Sequence, residues 1–133
     1  NTSLLKENPK LGHISTFAGN PVIAAAALAT VKKITGSNLI AETLRKEKLL
    51  RKHLQHSSIK EIRGRGLMLA AIVETPELAA KIIHKCLENG LILFFLLFEG
   101  KAMRITPPLT ISDEEIIEGC TIILNSIDEV LDT

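Results

Sequence analysis

Tryptophan and tyrosine are missing from these 133 residues, four phenylalanines are the only aromatics, and 16 basic side chains are nearly cancelled by 15 acidic ones. That balance excludes a field strong enough to hold nucleic acid or an anionic membrane by charge alone. Only two cysteines are present, Cys86 and Cys120, far apart and each set among apolar residues on helix-like stretches. They read as small buried hydrophobes, not as a disulfide or a metal pair. No N-terminal segment joins a basic start, an apolar stretch and a small-residue cleavage site, and no uncharged run approaches membrane-spanning length. A cytoplasmic setting is the resulting expectation. The chain opens on Asn1 and a polar stretch to Lys10 rather than on methionine, as a piece of a longer protein would.

What is present is a chain able to fold. Hydrophobic residues make up 46%, far above a disordered composition, and the length suits one domain. Asn20-Pro21 signals a helix start, since asparagine caps free amides and proline tolerates the first helical position. The helix expected over Pro21–Thr35 is apolar on nearly every side until Lys32 and Lys33. Such a surface needs burial all round, which a second domain or subunit would supply. Gly36 suits a left-handed helix end, and Ser37 or Asn38 can cap a second helix running to about Gln55. Its buried stripe is read as Leu39, Ile40, Leu44, Leu50 and Leu54, with Arg45, Lys48 and Lys52 outward.

Two strands, Ile59–Arg63 and Leu67–Glu74, are expected to join through Gly64-Arg65-Gly66. Thr75-Pro76 begins a helix with Leu78, Ile82, Ile83, Cys86 and Leu87 inward, and Asn89-Gly90 ends it. The apolar run Leu91–Phe98 reads as a buried strand that turns at Glu99-Gly100 into Ala102–Ile105. After Pro107-Pro108, the stretch Ser112-Asp113-Glu114-Glu115 forms a capping box for a last helix burying Ile116, Cys120, Ile123, Ile127 and Val130. The order ααββαββα gives an α+β, two-layer domain, a small sheet with helices mainly on one face.

Two places carry chemistry. Ser15 and Thr16 put hydroxyls before a helix N-terminus, where amides and helix dipole favour a phosphate or carboxylate; spacing alone favours the plainer reading, that they merely shape a loop. Arg104 is one guanidinium among apolar neighbours ahead of Pro107-Pro108, suited to gripping a carboxylate with two parallel bonds, or to pairing with an acid at the sheet edge. The single Arg63-Gly64-Arg65-Gly66 fits a turn better than an RNA-binding segment. His13, His53, His56 and His84 are scattered and make no metal site, and no nucleophile–base arrangement can be argued.

Taken in order, Gly12-His13-Ile14-Ser15-Thr16-Phe17-Ala18-Gly19-Asn20-Pro21, Arg63-Gly64-Arg65-Gly66-Leu67-Met68 and Arg104-Ile105-Thr106-Pro107-Pro108-Leu109 closely resemble the C-terminal part of class III pyridoxal-phosphate-dependent aminotransferases. That family includes acetylornithine, ornithine and 4-aminobutyrate aminotransferases. The resemblance implies the C-terminal small domain of a fold type I enzyme, with residues 1–20 as lead-in and phosphate-loop segment and 21–133 as the domain proper. It implies a homodimer that binds pyridoxal 5'-phosphate between a large domain, absent from this chain, and the partner subunit. Thr16, with Ser15 as adjunct, would reach the phosphate of the neighbouring subunit's cofactor. Arg104 would bind the substrate α-carboxylate, or pair with an active-site glutamate when an ω-amino donor is bound. The implied chemistry is amino transfer from an amino acid or ω-amino donor to a keto acid such as 2-oxoglutarate.

The lysine that holds the cofactor would lie in the large domain, so no catalytic residue is assigned here and the chain alone is expected not to transaminate. Ala18 departs from the pattern, since most relatives carry a second glycine there, and its methyl group restricts the loop backbone. The rival reading is a non-enzymatic α+β module that binds an anion or docks a partner through its apolar first helix.

Overall fold

Asn20 opens the first helix as its chemistry dictates: its Oδ1 accepts from the amides of Val22 and Ile23 at 3.0 and 3.3 Å. The helix, α1, spans Pro21–Thr35. The computed structural model describes residues 15–132, and they divide into two units, one reaching to Ser37 and one starting at Asn38. None of the α1 residues is buried. Gly36 has φ −89°, so the left-handed helix end expected there does not form; its amide reaches the Lys32 carbonyl by continuing the helical pattern.

The second unit runs α2 (Leu39–His53), β1 (Glu61–Arg65), β2 (Met68–Ile72), α3 (Pro76–Glu88), β3 (Phe94–Leu96), β4 (Glu99–Ile105) and α4 (Asp113–Leu131). With α1 this is the expected order ααββαββα. All pairings in the sheet are antiparallel, in the order β1-β2-β4-β3. Leu69, Ala71, Val73, Met103 and Ile105 form a core with Leu50 and Leu54 of the α2 region, Ala79, Ile82 and Cys86 of α3, and Ile116, Cys120, Ile123 and Ile127 of α4. Every second residue of β2 and β4 thus meets the helices, the period a half-buried sheet requires. Among the described residues no helix is long and apolar enough to cross a membrane.

Local chemistry explains the helix starts. Thr75 accepts from the Leu78 amide at 3.1 Å. Ser112 and Glu115 form the reciprocal capping box at α4. Asn38 stands at the cap of α2 without a side-chain cap bond. Cys86 and Cys120 are free and buried, and burial pushes the Cys120 thiol up to about 11 and the Cys86 thiol up as well, so neither is a thiolate near neutrality.

Four expectations are corrected. The β1–β2 turn is Gly66-Leu67, and Gly64 lies inside β1. There its φ is +109°, and a Cβ would land on the Met68 carbonyl. The run Leu91–Phe98 is not a buried strand: only Phe94–Leu96 is extended, at the sheet edge, and Leu97 and Phe98 form an exposed turn in place of Glu99-Gly100. A short edge strand has core on one side at most, which the length of the apolar run does not reveal. Along α2, Leu50 and Leu54 are buried, but Ile40 and Leu44 are exposed while Lys46 is buried. In α3 Ile82 and Cys86 are buried as expected and Ala79 joins them, whereas Leu87 is exposed.

A network pins the hairpin to α2. Glu47 accepts from the Gly66 amide at 2.6 Å and from Arg51 Nε at 2.9 Å. Arg51 also donates to the Ile62 and Gly64 carbonyls, at 2.6 and 3.0 Å. Bonding to Gly66 first, and to Arg51 second, holds the Glu47 carboxyl below its ordinary value of 4.5. A carboxyl depressed in the folded state adds stability above its unfolded value, and that share is lost as pH falls through the folded value.

Two outcomes follow. Gly64→Ala should lower the unfolding free energy by more than about 2 kcal/mol in denaturant titration, because both its φ and its lack of space oppose a side chain. Glu47→Gln should lower the urea midpoint at pH 7, and the gap from the parent should narrow as pH drops below 4.5. A constant gap from pH 7 to pH 3 would rule out the charge of Glu47 as its source.

Candidate functional site

The first unit carries the hydroxyl loop. Ser15 and Thr16 are exposed and lead into a turn closed by bonds from the Ala18 amide to the Ser15 carbonyl, 3.0 Å, and from the Asn20 amide to the Phe17 carbonyl, 3.1 Å. Gly19 follows with φ +76° and open space around it. Ala18 is thus accommodated within a hydrogen-bonded turn, with the positive φ taken by its neighbour. Neither hydroxyl hydrogen-bonds another described residue. Asn20 already occupies two of the first free amides of α1, so an anion here would be held chiefly by the Ser15 and Thr16 hydroxyls. That donor set suits a phosphate.

The second unit carries Arg104. Cross-strand pairing fixes a row, Arg63–Ala70–Arg104–Phe94, on the sheet face away from the core. Arg63 gives its charge to Glu61 at 2.8 Å and Glu99 at 3.6 Å. Arg45 and Arg51 likewise pair with acids, and Arg65 lies near enough to Glu47 to help lower its carboxyl. Arg104 differs: no acid among the described residues lies within ion-pair distance of it, and its guanidinium sits over the Phe94 ring, 4.9 Å from the centroid. Pairing with an edge carboxylate, one of the two readings of this residue, is not found among the described residues.

The strand exit is held by residues that sequence reasoning treated otherwise. Lys46, only 7% exposed, donates its Nζ to the Leu109 carbonyl at 2.9 Å. Arg45, read as merely outward, grips Asp113 with two bonds of 2.7 Å. Those bonds raise the Arg45 pKa further and depress that of Asp113. Both ends of the Leu109–Asp113 segment are thus tied to α2. A cleft of about 430 Å³ opens beside it, with Arg104, Thr106 and Glu115 among otherwise apolar walls from Leu91–Phe94 and α4. The buried lysine had no sequence signal, since a lysine beside Arg45 and Lys48 looks like a solvated face.

Among the described residues no group of three His, Cys, Asp or Glu side chains could hold a metal. His56 lies 3.1 Å from Asp128 and accepts from the Ser58 amide. His53 contributes nothing to that pair.

The family model described as aminotransferase class III matches residues 1–127. Acetylornithine aminotransferase of Caldanaerobacter subterraneus subsp. tengcongensis is 34% identical over 123 residues, covering 89% of this chain and 30% of that protein. Leucine/methionine racemase of Thermococcus litoralis is 36% identical over 124 residues, covering 84% of this chain and 28% of its own length. Among solved structures, an ornithine aminotransferase from Toxoplasma gondii, with pyridoxal phosphate at partial occupancy in its active site, aligns with TM-score 0.80 and 33% identity, over 98% of this chain and 31% of that one. The chain therefore spans under a third of these relatives' length.

Lys46→Met should loosen the segment after Arg104, lowering stability by about 1 kcal/mol, the net worth of a hydrogen bond, and speeding amide exchange at Ile111 and Ser112 more than in β2. Uniform acceleration across both would contradict a local tether.

Proposed function

As this chain belongs to the class III aminotransferase family, we propose that it is the C-terminal small domain of a longer pyridoxal-phosphate-dependent transaminase that acts as a dimer. The observation that carries the reading is Arg104: an exposed guanidinium without an acid partner among the described residues, on a strand whose exit is tied down at Leu109 and Asp113. Such a group is held ready for an anion from outside.

Arg104 binds the substrate α-carboxylate through its planar fork, and its charge does not titrate near neutrality. Thr16, with Ser15 beside it, holds the cofactor phosphate by donating its hydroxyl proton. In the proposed dimer that cofactor is the neighbouring subunit's. Pyridoxal phosphate, when bound, supplies the electron sink for moving an amino group between an amino acid and a keto acid such as 2-oxoglutarate. The lysine that tethers it belongs to the remainder of the longer protein, so the 133-residue chain alone does not transaminate. A donor of the ornithine, acetylornithine or 4-aminobutyrate kind follows from the family. Kinship with a racemase supports a second reading, in which the same Arg104 anchors an amino acid that is racemised without a keto-acid partner.

The test is made on the longer protein. Arg104→Gln should cut kcat/KM for an α-amino acid donor about ten- to hundred-fold, the cost of losing hydrogen bonds to a charged group, and Thr16→Val should weaken cofactor binding by absorbance titration. Turnover of ornithine, acetylornithine or 4-aminobutyrate with 2-oxoglutarate supports transfer, whereas inversion of an amino acid without a keto acid supports the racemase reading. Transaminase activity from the purified 133-residue chain would refute the division of labour.

A further inference from the structure

We propose that Phe94 is a positioning residue for Arg104, holding the guanidinium plane so that its donor edge is presented to a carboxylate; this rests on Arg104 being the carboxylate-binding group. An exposed arginine side chain samples many rotamers, and ordering it costs binding free energy. A ring under the guanidinium face limits that sampling. It does so without competing for the ligand, because the contact uses the π-face while the N–H donors radiate in the guanidinium plane. An acid partner would order the side chain too, but would occupy the very donors a substrate needs.

The placement of Phe94 is built into the fold. Phe94 and Arg104 are cross-strand partners. A regular ladder continuing the Leu96–Glu99 pair would set Phe94 opposite Lys101. The register shift between Phe95 and Leu96 moves it three residues along β4, to Arg104. Phe94 also stacks with Phe95, with ring centroids 5.0 Å apart and planes 17° from parallel. On the other side of Arg104 in its row stands Ala70, too short to offer a competing contact. Phe94 remains 49% exposed, so burial alone does not account for an aromatic there.

Three variants of the longer protein test this: Phe94→Leu, Phe94→Tyr and Arg104→Gln. Phe94→Leu should raise KM for the carboxylate donor about two- to five-fold, the value of one exposed cation–π contact, with kcat changed less than KM. Phe94→Tyr should restore KM, since it keeps the ring. In the 133-residue chain, ¹H NMR should show Arg104 side-chain protons shifted upfield by the ring, and that shift should vanish in Phe94→Leu and persist in Phe94→Tyr. A KM unmoved by Phe94→Leu while Arg104→Gln raises it overturns the positioning role and leaves the carboxylate site standing. A KM that rises equally in Phe94→Leu and Phe94→Tyr overturns it too, as bulk would then matter and the ring would not. If Arg104→Gln itself leaves KM unchanged, the carboxylate reading falls and the proposal falls with it.

Discussion

Met103 and Ile105 are drawn into the core, and the two-residue period of a strand then leaves Arg104, between them, on the opposite face. Turning Arg104 inward would require burying an unpaired cation in place of two apolar side chains, a cost of several kcal/mol per ion set against the gain of burial. The pairing of β4 with β2 locks this choice, since a one-residue slip of β4 would turn Met103 and Ile105 out of the core. Around that constraint the remaining features take their sense. Lys46 and Arg45 fix the chain beyond the strand, the register shift brings Phe94 across, and Arg63 is neutralised by Glu61 and Glu99. One arginine of the row is left without an acid partner among the described residues.

Much of this frame was legible because its causes are local. Asn20-Pro21, Thr75-Pro76 and the Ser112 capping box announce helix starts through bonds made within three residues, and all three helices begin where those signals stand. The helical stripe of α4 is nearly as read, as its apolar residues outnumber any alternative face. Arg104 could be singled out from its apolar neighbours and the proline pair. What could not be read arises from tertiary choice. The apolar run from Leu91 to Phe98 has the composition of a buried strand, yet it occupies an edge, and no pattern within eight residues tells an edge from a centre. The partner of Arg104 was equally hidden, because a register shift breaks the counting rule that would have matched residues across the hairpin.

Lys46 illustrates the same limit from the polar side. Helical spacing placed Ile40 and Leu44 inside and gave no reason to bury a lysine, but the helix is rotated relative to that expectation. The carbonyl of Leu109 explains why the burial is tolerable, for it accepts from the ammonium beyond the proline pair, where the chain has left the ladder of β4. A backbone acceptor sixty-three residues away in sequence is not a local signal.

The first unit raises the opposite problem. A fifteen-residue helix is marginal in water even with good propensity, and most helical stability comes from packing an apolar face. α1 has the apolar surface and the Asn20 cap, yet none of its residues is buried. Its two lysines near the C-terminal end favour the helix dipole, a contribution of well under the amount needed to hold a helix alone. Val22, Ile23, Leu28 and Val31 are exposed apolar side chains that call for cover. The hydroxyls of Ser15 and Thr16 sit just ahead of that helix, so the surface that buries α1 also determines what those hydroxyls face. The hydroxyl loop and the apolar helix are therefore joined in one requirement for cover.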